Sequence, residues 1–114
     1  MEQEISLGAN VSVEQVSSEV ATIWRQVMTE GSGARKAAMA AGVPVGDLPE
    51  ISAEQAITVR RAREGADPLL TGILIGAAGG ALGNLASDAV RACIGKFLIP
   101  YLKQKFGAQD KPGA

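Results

Sequence analysis

The sequence predicts an all-α protein: a small helical domain with N-terminal amphipathic helices, a glycine-rich apolar helix and a C-terminal basic amphipathic helix. Two Ser-x-x-Gln boxes, which begin at Ser12 and Ser52, are typical of helix starts. Residues 68–87, called the glycine stretch below, carry no charge and are long enough to cross a bilayer as one helix. Helices are therefore expected over 12–29, 33–41, 52–64, 68–86 and 88–106.

Charge divides the 114-residue chain into an acidic and a basic half, although its net charge is only −1. Residues 1–67 hold six Lys or Arg and ten Asp or Glu, whereas residues 68–114 hold five and two, which gives −4 and +3. So small a net charge provides no bulk attraction to nucleic acid. We expect a soluble N-terminal helical module over 1–66, a C-terminal helical region over 67–106 and a disordered tail over 107–114.

The N-terminal module contains one clear amphipathic helix after a polar segment, 1–11, that is expected to be loose. Apolar residues recur at helical spacing along one face of this helix. They are Val13, Val16, Val20, Ile23, Trp24 and Val27. Trp24 is expected to be the buried anchor of the helix.

The segment that begins at Ser52 has two interpretations. Its capping box predicts a helix over 52–64. The run Ile57-Thr58-Val59 is β-branched, however, and such residues favour strands. A short strand is therefore the alternative for this segment.

Glycines recur at four-residue intervals in the glycine stretch. Gly72, Gly76 and Gly80 form one series, and Gly79 and Gly83 form a second pair. On a helix all five fall on one face, where a second backbone can approach closely. The pattern resembles the glycine zippers of membrane-embedded helical assemblies. The resemblance implies that these five glycines mediate homo-oligomerisation through the glycine helix.

The surroundings of the glycine stretch are left open by the sequence. Each interior glycine costs a helix roughly 1 kcal/mol relative to alanine, so the helix needs a lipid or protein partner. Seven Leu and Ile residues favour insertion by only about 2–4 kcal/mol together. The same residues suit a membrane span, the buried central helix of a soluble bundle, or a helical hairpin that breaks at Gly79-Gly80.

Basic residues flank the glycine stretch on both sides and are candidates for contact with anionic lipid at a membrane interface. They are Arg60, Arg61, Arg63, Lys96, Lys103 and Lys105. The last three belong to the basic amphipathic helix, which can lie in a membrane interface or pack on a partner. Pro100 predicts a kink or a stop in that helix.

Residue types that carry common catalytic chemistry are scarce. The chain has no histidine and a single cysteine, Cys93, which falls on an apolar helix face. We therefore expect no enzyme activity, no catalytic residue, no metal site and no cofactor. Residues 37–50 resemble the turn of a helix-turn-helix, but Pro44 and Pro49 interrupt the second helix and the region is not basic, so nucleic acid is not an expected partner.

The sequence supports two functional hypotheses. The first is a small oligomer-forming, membrane-active protein, such as a pore-forming effector or a holin-like protein, that has its N-terminal side in the cytoplasm. The alternative is a cytoplasmic, soluble homo-oligomerisation or adaptor module that buries the glycine helix at its centre. The expected partners of the chain are a second copy of itself and, under the first hypothesis, a lipid membrane. A protein partner for the N-terminal module is a further expectation.

Overall fold

A computed structural model describes residues 2–8, 11–61, 70–78 and 83–106. Along the chain, the strands are β1 (Glu2–Gly8), β2 (Ile57–Arg61) and β3 (Leu70–Ala77). The helices are α1 (Val13–Val27), α2 (Gly33–Ala40), α3 (Ala53–Ala56), α4 (Asn84–Cys93) and α5 (Ile99–Phe106), with a 3₁₀ turn at Val45–Asp47 and a π-helical segment at Ile94–Leu98. The prediction of an all-α protein is wrong, because the three strands form an antiparallel sheet in the order β1-β3-β2.

The glycine stretch supplies the central strand of this sheet rather than a helix. Ile73 and Ile75 alternate with Gly72, Leu74 and Gly76, so in a strand both isoleucines lie on one face, and both are fully buried. On a helix the two isoleucines would diverge, and each glycine would weaken the helix. Backbone hydrogen bonds to a strand on each side stabilise this segment as a strand, although its glycines make it a poor helix.

The first strand corrects the expectation of a loose N-terminal segment. Its sequence, EQEISLG, alternates polar and apolar residues toward its end, which is the period of a half-buried strand. Ile5 pairs with Ile73 of β3 and is 3% exposed. Glu4, on the opposite face, is exposed.

The predicted helices at 12–29 and 33–41 are observed as α1 and α2, each within two residues of the expected ends. In α1 the side chain of Ser12 accepts a hydrogen bond from the amide of Gln15, and the Gln15 side chain accepts one from the amide of Ser12. Five residues of the predicted apolar face are buried. They are Val16, Val20, Ile23, Trp24 and Val27.

The predicted helix over 52–64 is wrong after its first turn. α3 ends at Ala56, and β2 begins directly at Ile57. In a continuing helix the carbonyl of Ala56 would accept a hydrogen bond from the amide four residues later. It instead accepts one from the amide of Ala78 at 2.8 Å. The β-branched alternative therefore describes this segment better.

The C-terminal helix continues through Pro100 without a stop. Proline cannot donate a backbone hydrogen bond, and its ring crowds the carbonyl four residues earlier, here that of Lys96. Just before it, the helix widens into the π-helical segment, where the amide of Ile99 bonds to the carbonyl of Ile94, five residues back. The wider turn accommodates the proline, so α4, the π segment and α5 follow one another without a loop.

The core lies between the helices and one face of the sheet. Ile5, Ile57, Ile73 and Ile75 supply the sheet side of the core. The helix side comes from α1, α4, the π segment and α5, with contacts of α1 to β2, α4 to β3 and α5 to β1. This two-layer packing leaves β1 and β2 as the outer strands of the described sheet.

None of the described helices combines the length and the apolarity that crossing a membrane requires. The transmembrane helix predicted for the glycine stretch is wrong, since its residues 70–77 form β3. The membrane-spanning interpretation falls with that helix.

Candidate functional site

Metal and nucleophile chemistry finds no support in the described part of the chain. No group of His, Cys, Asp or Glu side chains there could hold a metal ion. Cys93 is fully buried, and burial raises the pKa of its thiol from 9.0 to about 12. The thiol therefore stays protonated near neutral pH and is a poor nucleophile.

The five glycines predicted to mediate oligomerisation do not share a helix face. Gly72 and Gly76 lie in β3, and Gly83 is the residue before α4. Gly79 and Gly80 fall outside the described residues. Residues 70–77 therefore cannot mediate self-association as a helix. Self-association itself stays a prediction.

The predicted membrane-interface residues lie on separate elements. Arg60 and Arg61 are exposed on β2, and Arg63 lies outside the described residues. The three lysines belong to the π segment and α5, and α5 packs on β1, the strand at the other side of the sheet. Lys105 lies 3.5 Å from Glu19 of α1, so this lysine also ties two helices together.

The outer edge of β2 presents backbone groups that no described strand uses. Ile57 pairs with Ala77, and the bond from the Ala78 amide to the Ala56 carbonyl marks them as a pair that exchanges no hydrogen bonds with each other. In an antiparallel ladder, Thr58 and Arg60 then bond to β3, while Ile57, Val59 and Arg61 turn their amides and carbonyls outward. The amide of Ile57 already donates to Ala53, so Val59 is the first residue with both groups directed outward.

A cleft of about 290 Å³ runs beside this edge. Its walls come from three elements: Ser17, Val20 and Ala21 of α1, Ala53 and Glu54 of α3, and Ile57, Thr58 and Val59 of β2. Most of these side chains are apolar, and Val59 is half-buried. The site therefore combines an apolar depression with an adjacent row of backbone donors and acceptors.

A second cleft of about 210 Å³ adjoins the first and shares Ala21, Ala53 and Glu54 with it. Trp24 forms part of its wall, and the indole Nε1 of Trp24 donates a 2.9 Å hydrogen bond to the carbonyl of Ile51. This bond fixes the segment that leads into α3 against α1. Buried Trp24 thus fixes α3 against α1, and these two helices line both clefts.

Charge is distributed unevenly along the β2 edge. Exposed Glu54 precedes the strand, and exposed Arg61 ends it. Neither side chain has a hydrogen bond or ion pair within the part of the chain that the structure describes. A partner at this edge therefore meets apolar groups in the middle, a carboxylate at one end and a guanidinium at the other.

The sequence does not predict that the outer edge of β2 is a candidate binding site. Its one signal is the β-branched run Ile57-Thr58-Val59, which indicates a strand but not whether that strand is central or peripheral. The strand order depends on the pairing of β3 with both β1 and β2, and no local pattern predicts that pairing.

Compared with known proteins, the chain matches no family model, no curated sequence and no solved structure. Its function therefore has to be argued from the site itself.

Proposed function

We propose that this protein is a protein-interaction module that binds an extended backbone segment by adding it as a strand to the outer edge of β2. The proposal keeps the adaptor and self-association hypothesis and moves its surface from the glycine stretch to the sheet edge. In strand addition, main-chain hydrogen bonds supply affinity and side-chain depressions supply specificity.

The observation that carries the proposal is the position of the apolar cleft directly beside unused backbone groups. Val59 directs its amide and carbonyl outward by the ladder alternation, and Val20 and Ala21 of α1 form the facing wall. A strand laid along β2 would bond to Val59 and place every second side chain toward that wall. Neither feature alone indicates a binding site, but together they support the proposal of one.

The dimensions of the cleft favour a peptide segment over a small molecule. Sites for drug-sized ligands measure roughly 300–1,000 Å³ and enclose most of the ligand, with a few convergent polar groups. The cleft beside β2 has a volume of about 290 Å³ and is not enclosed on all sides. It suits one or two side chains of a segment whose backbone is held by β2.

The experiment is selection of extended binders from a displayed library of seven-residue peptides on the full-length protein. Selected peptides are then titrated into ¹⁵N-labelled protein. We expect amide shifts concentrated at Ile57, Val59 and Arg61, because their backbone groups face the added strand. Shifts spread over α4 and α5 instead would contradict the proposal.

Two variants test the two halves of the site. Val59→Pro removes the outward amide without removing a ladder bond, and Ser17→Arg fills the cleft from α1 with a residue of higher helix propensity. Each should weaken peptide binding at least about tenfold, which corresponds to about 1.4 kcal/mol. Met39→Ala, at an exposed site on α2, is the control. Unchanged binding by both variants would overturn strand addition at β2.

A further inference from the structure

The two outer edges of the sheet carry opposite charges. β2 ends at Arg61, whereas β1 carries Glu4, and both side chains are exposed. Neither has a hydrogen bond or ion pair within the residues that the structure describes. Charged residues on an edge discourage pairing with an edge of the same charge. They do not discourage pairing with an edge of the opposite charge.

The backbone of β1 offers the same kind of free edge as β2. Because the β3 residues Gly72, Leu74 and Gly76 bond toward β2, the alternate β3 residues bond toward β1. Their partners in β1 include Ile5, so the intervening residues Glu4, Ser6 and Gly8 direct their amides and carbonyls away from the sheet. Both edges thus carry a row of backbone groups that no described strand uses.

We infer that the strand added to β2 is the β1 edge of a second copy of this chain, paired antiparallel with Glu4 of one copy opposite Arg61 of the other. This inference rests on the proposed function, since it names the occupant of the same edge. In this antiparallel register, residues 57–61 of one copy lie opposite residues 4–8 of the other. The residues of β2 whose backbone groups point away from the sheet then stand directly opposite the corresponding residues of β1.

The two faces of the sheet decide how successive copies are oriented. Arg61 lies on the face that packs against the helices, as its register with buried Ile73 requires, whereas Glu4 lies on the other face. Residues directly opposite each other in a ladder share a face. The second copy is therefore turned over, with its helices on the opposite side, and its open sheet face lies alongside α1 of the first copy.

This contact is heterologous, because one edge of the first copy meets the other edge of the second. A pair of copies joined in this way keeps one free β1 edge and one free β2 edge, so the contact repeats instead of closing as a two-fold dimer. A symmetric antiparallel pair of β2 strands centred on Val59 would set Arg61 opposite Ile57, and a pair of β1 strands centred on Ile5 would set Glu4 opposite Ser6. Only the β1–β2 contact sets Glu4 opposite Arg61, so the charges favour it over both symmetric dimers.

The test is sedimentation velocity of the full chain over a range of protein concentrations and at two salt concentrations. Wild type should form a series of oligomers of increasing size. Salt should weaken their association, because the Glu4–Arg61 contact lies at an exposed edge. Glu4→Arg sets an arginine opposite Arg61, and Arg61→Glu sets a glutamate opposite Glu4. Each single variant should weaken association about tenfold, since a cross-strand attraction becomes a repulsion.

Restoring the charge complementarity provides the decisive arm. The double variant Glu4→Arg/Arg61→Glu should associate within about threefold of wild type, a difference under 1 kcal/mol. An equimolar mixture of the two single variants should likewise associate more strongly than either variant does alone. A merely unfolded variant would not be rescued in this way, and far-UV circular dichroism checks the fold of each protein.

The outcomes separate this inference from the proposed function. A wild type that stays monomeric, or that associates regardless of both charge reversals, overturns the β1–β2 contact. If library peptides still bind to β2 in that case, strand addition stands and only its occupant is wrong. If no peptide binds there either, both proposals fail.

Discussion

Two helices of this protein start with the same kind of capping box, yet α1 runs for 15 residues and α3 for four. Both boxes are complete. The two hydrogen bonds of the Ser12 box measure 3.1 and 2.8 Å, and those of the Ser52 box measure 3.3 and 3.2 Å. The cap therefore determines where a helix begins, and the residues beyond the cap determine how far it extends.

The residues after each cap account for the difference. In α1, buried residues recur every three to four positions, so each added turn buries more apolar surface. After α3, the β-branched residues Ile57 and Val59 follow immediately. The carbonyl of Ala56 accepts a hydrogen bond from the amide of Ala78, just after β3. The early end of α3 places β2 beside α1, and that placement creates the cleft.

The largest predicted effect comes from breaking the contact that joins the two regions. Trp24 is 3% exposed, and its indole bonds to the carbonyl of Ile51, the residue before the second cap. Trp24→Ala should lower the free energy of unfolding by roughly 3–5 kcal/mol, because it leaves a cavity and an unpaired carbonyl. Chemical denaturation measures this loss. Leu85→Ala, at a site 66% exposed, should change stability by less than about 0.5 kcal/mol.

The next effect separates the two sides of β2. Thr58→Pro removes an amide that bonds to β3 and should cost about 1–3 kcal/mol, whereas Val59→Pro removes an outward amide and should cost less than about 1 kcal/mol. Thermal unfolding of the two variants gives the comparison. Equal losses would mean that the hydrogen-bond alternation assigned to β2 is wrong.

Removing each cap sharpens the comparison directly. Ser12→Ala should lower stability by about 1 kcal/mol, a typical loss for an N-cap, and Ser52→Ala by somewhat less, because its hydrogen bonds are longer. Ser52→Ala should nevertheless weaken binding at β2 more, since α3 forms one wall of the cleft. Denaturation and peptide titration on both variants would contradict this account if Ser12→Ala had the larger effect on binding.

An effect of similar size concerns a second contact that holds α1, on the side of α5. The hydroxyl of Tyr101 donates to Glu19 at 2.5 Å, and this hydrogen bond, followed by burial and the charge of Glu19, raises the pKa of Tyr101 above 10.0. A raised folded-state pKa means that this stabilisation is complete below pH 10 and is lost as the pH rises through the folded value. Tyr101→Phe should cost about 0.5–1.5 kcal/mol at pH 7. The difference from wild type should shrink above pH 10, and a gap that widens there would reverse the assigned sign.

The sequence allows the prediction of elements whose stability is local. The caps, α1, α2 and the burial of Trp24 follow from spacing within a few turns of helix. β3 does not, because a run with Gly72 and Gly76 at helical intervals also alternates Ile73 and Ile75 at strand intervals. Which period prevails depends on β1 and β2, which lie 60 or more and about 10 residues away in sequence. The proposed binding edge depends on that same nonlocal pairing, so it could not be predicted either.

Amide hydrogen exchange along β2 tests the central claim most directly, because it observes the outward backbone groups themselves. In dilute protein, Thr58 and Arg60 should exchange slowly through their bonds to β3, while Val59 and Arg61 exchange fast. At concentrations where the chain associates, Val59 should become protected as a second strand covers it. Protection of Val59 equal to that of Thr58 in dilute protein, or no gain on association, would contradict the account.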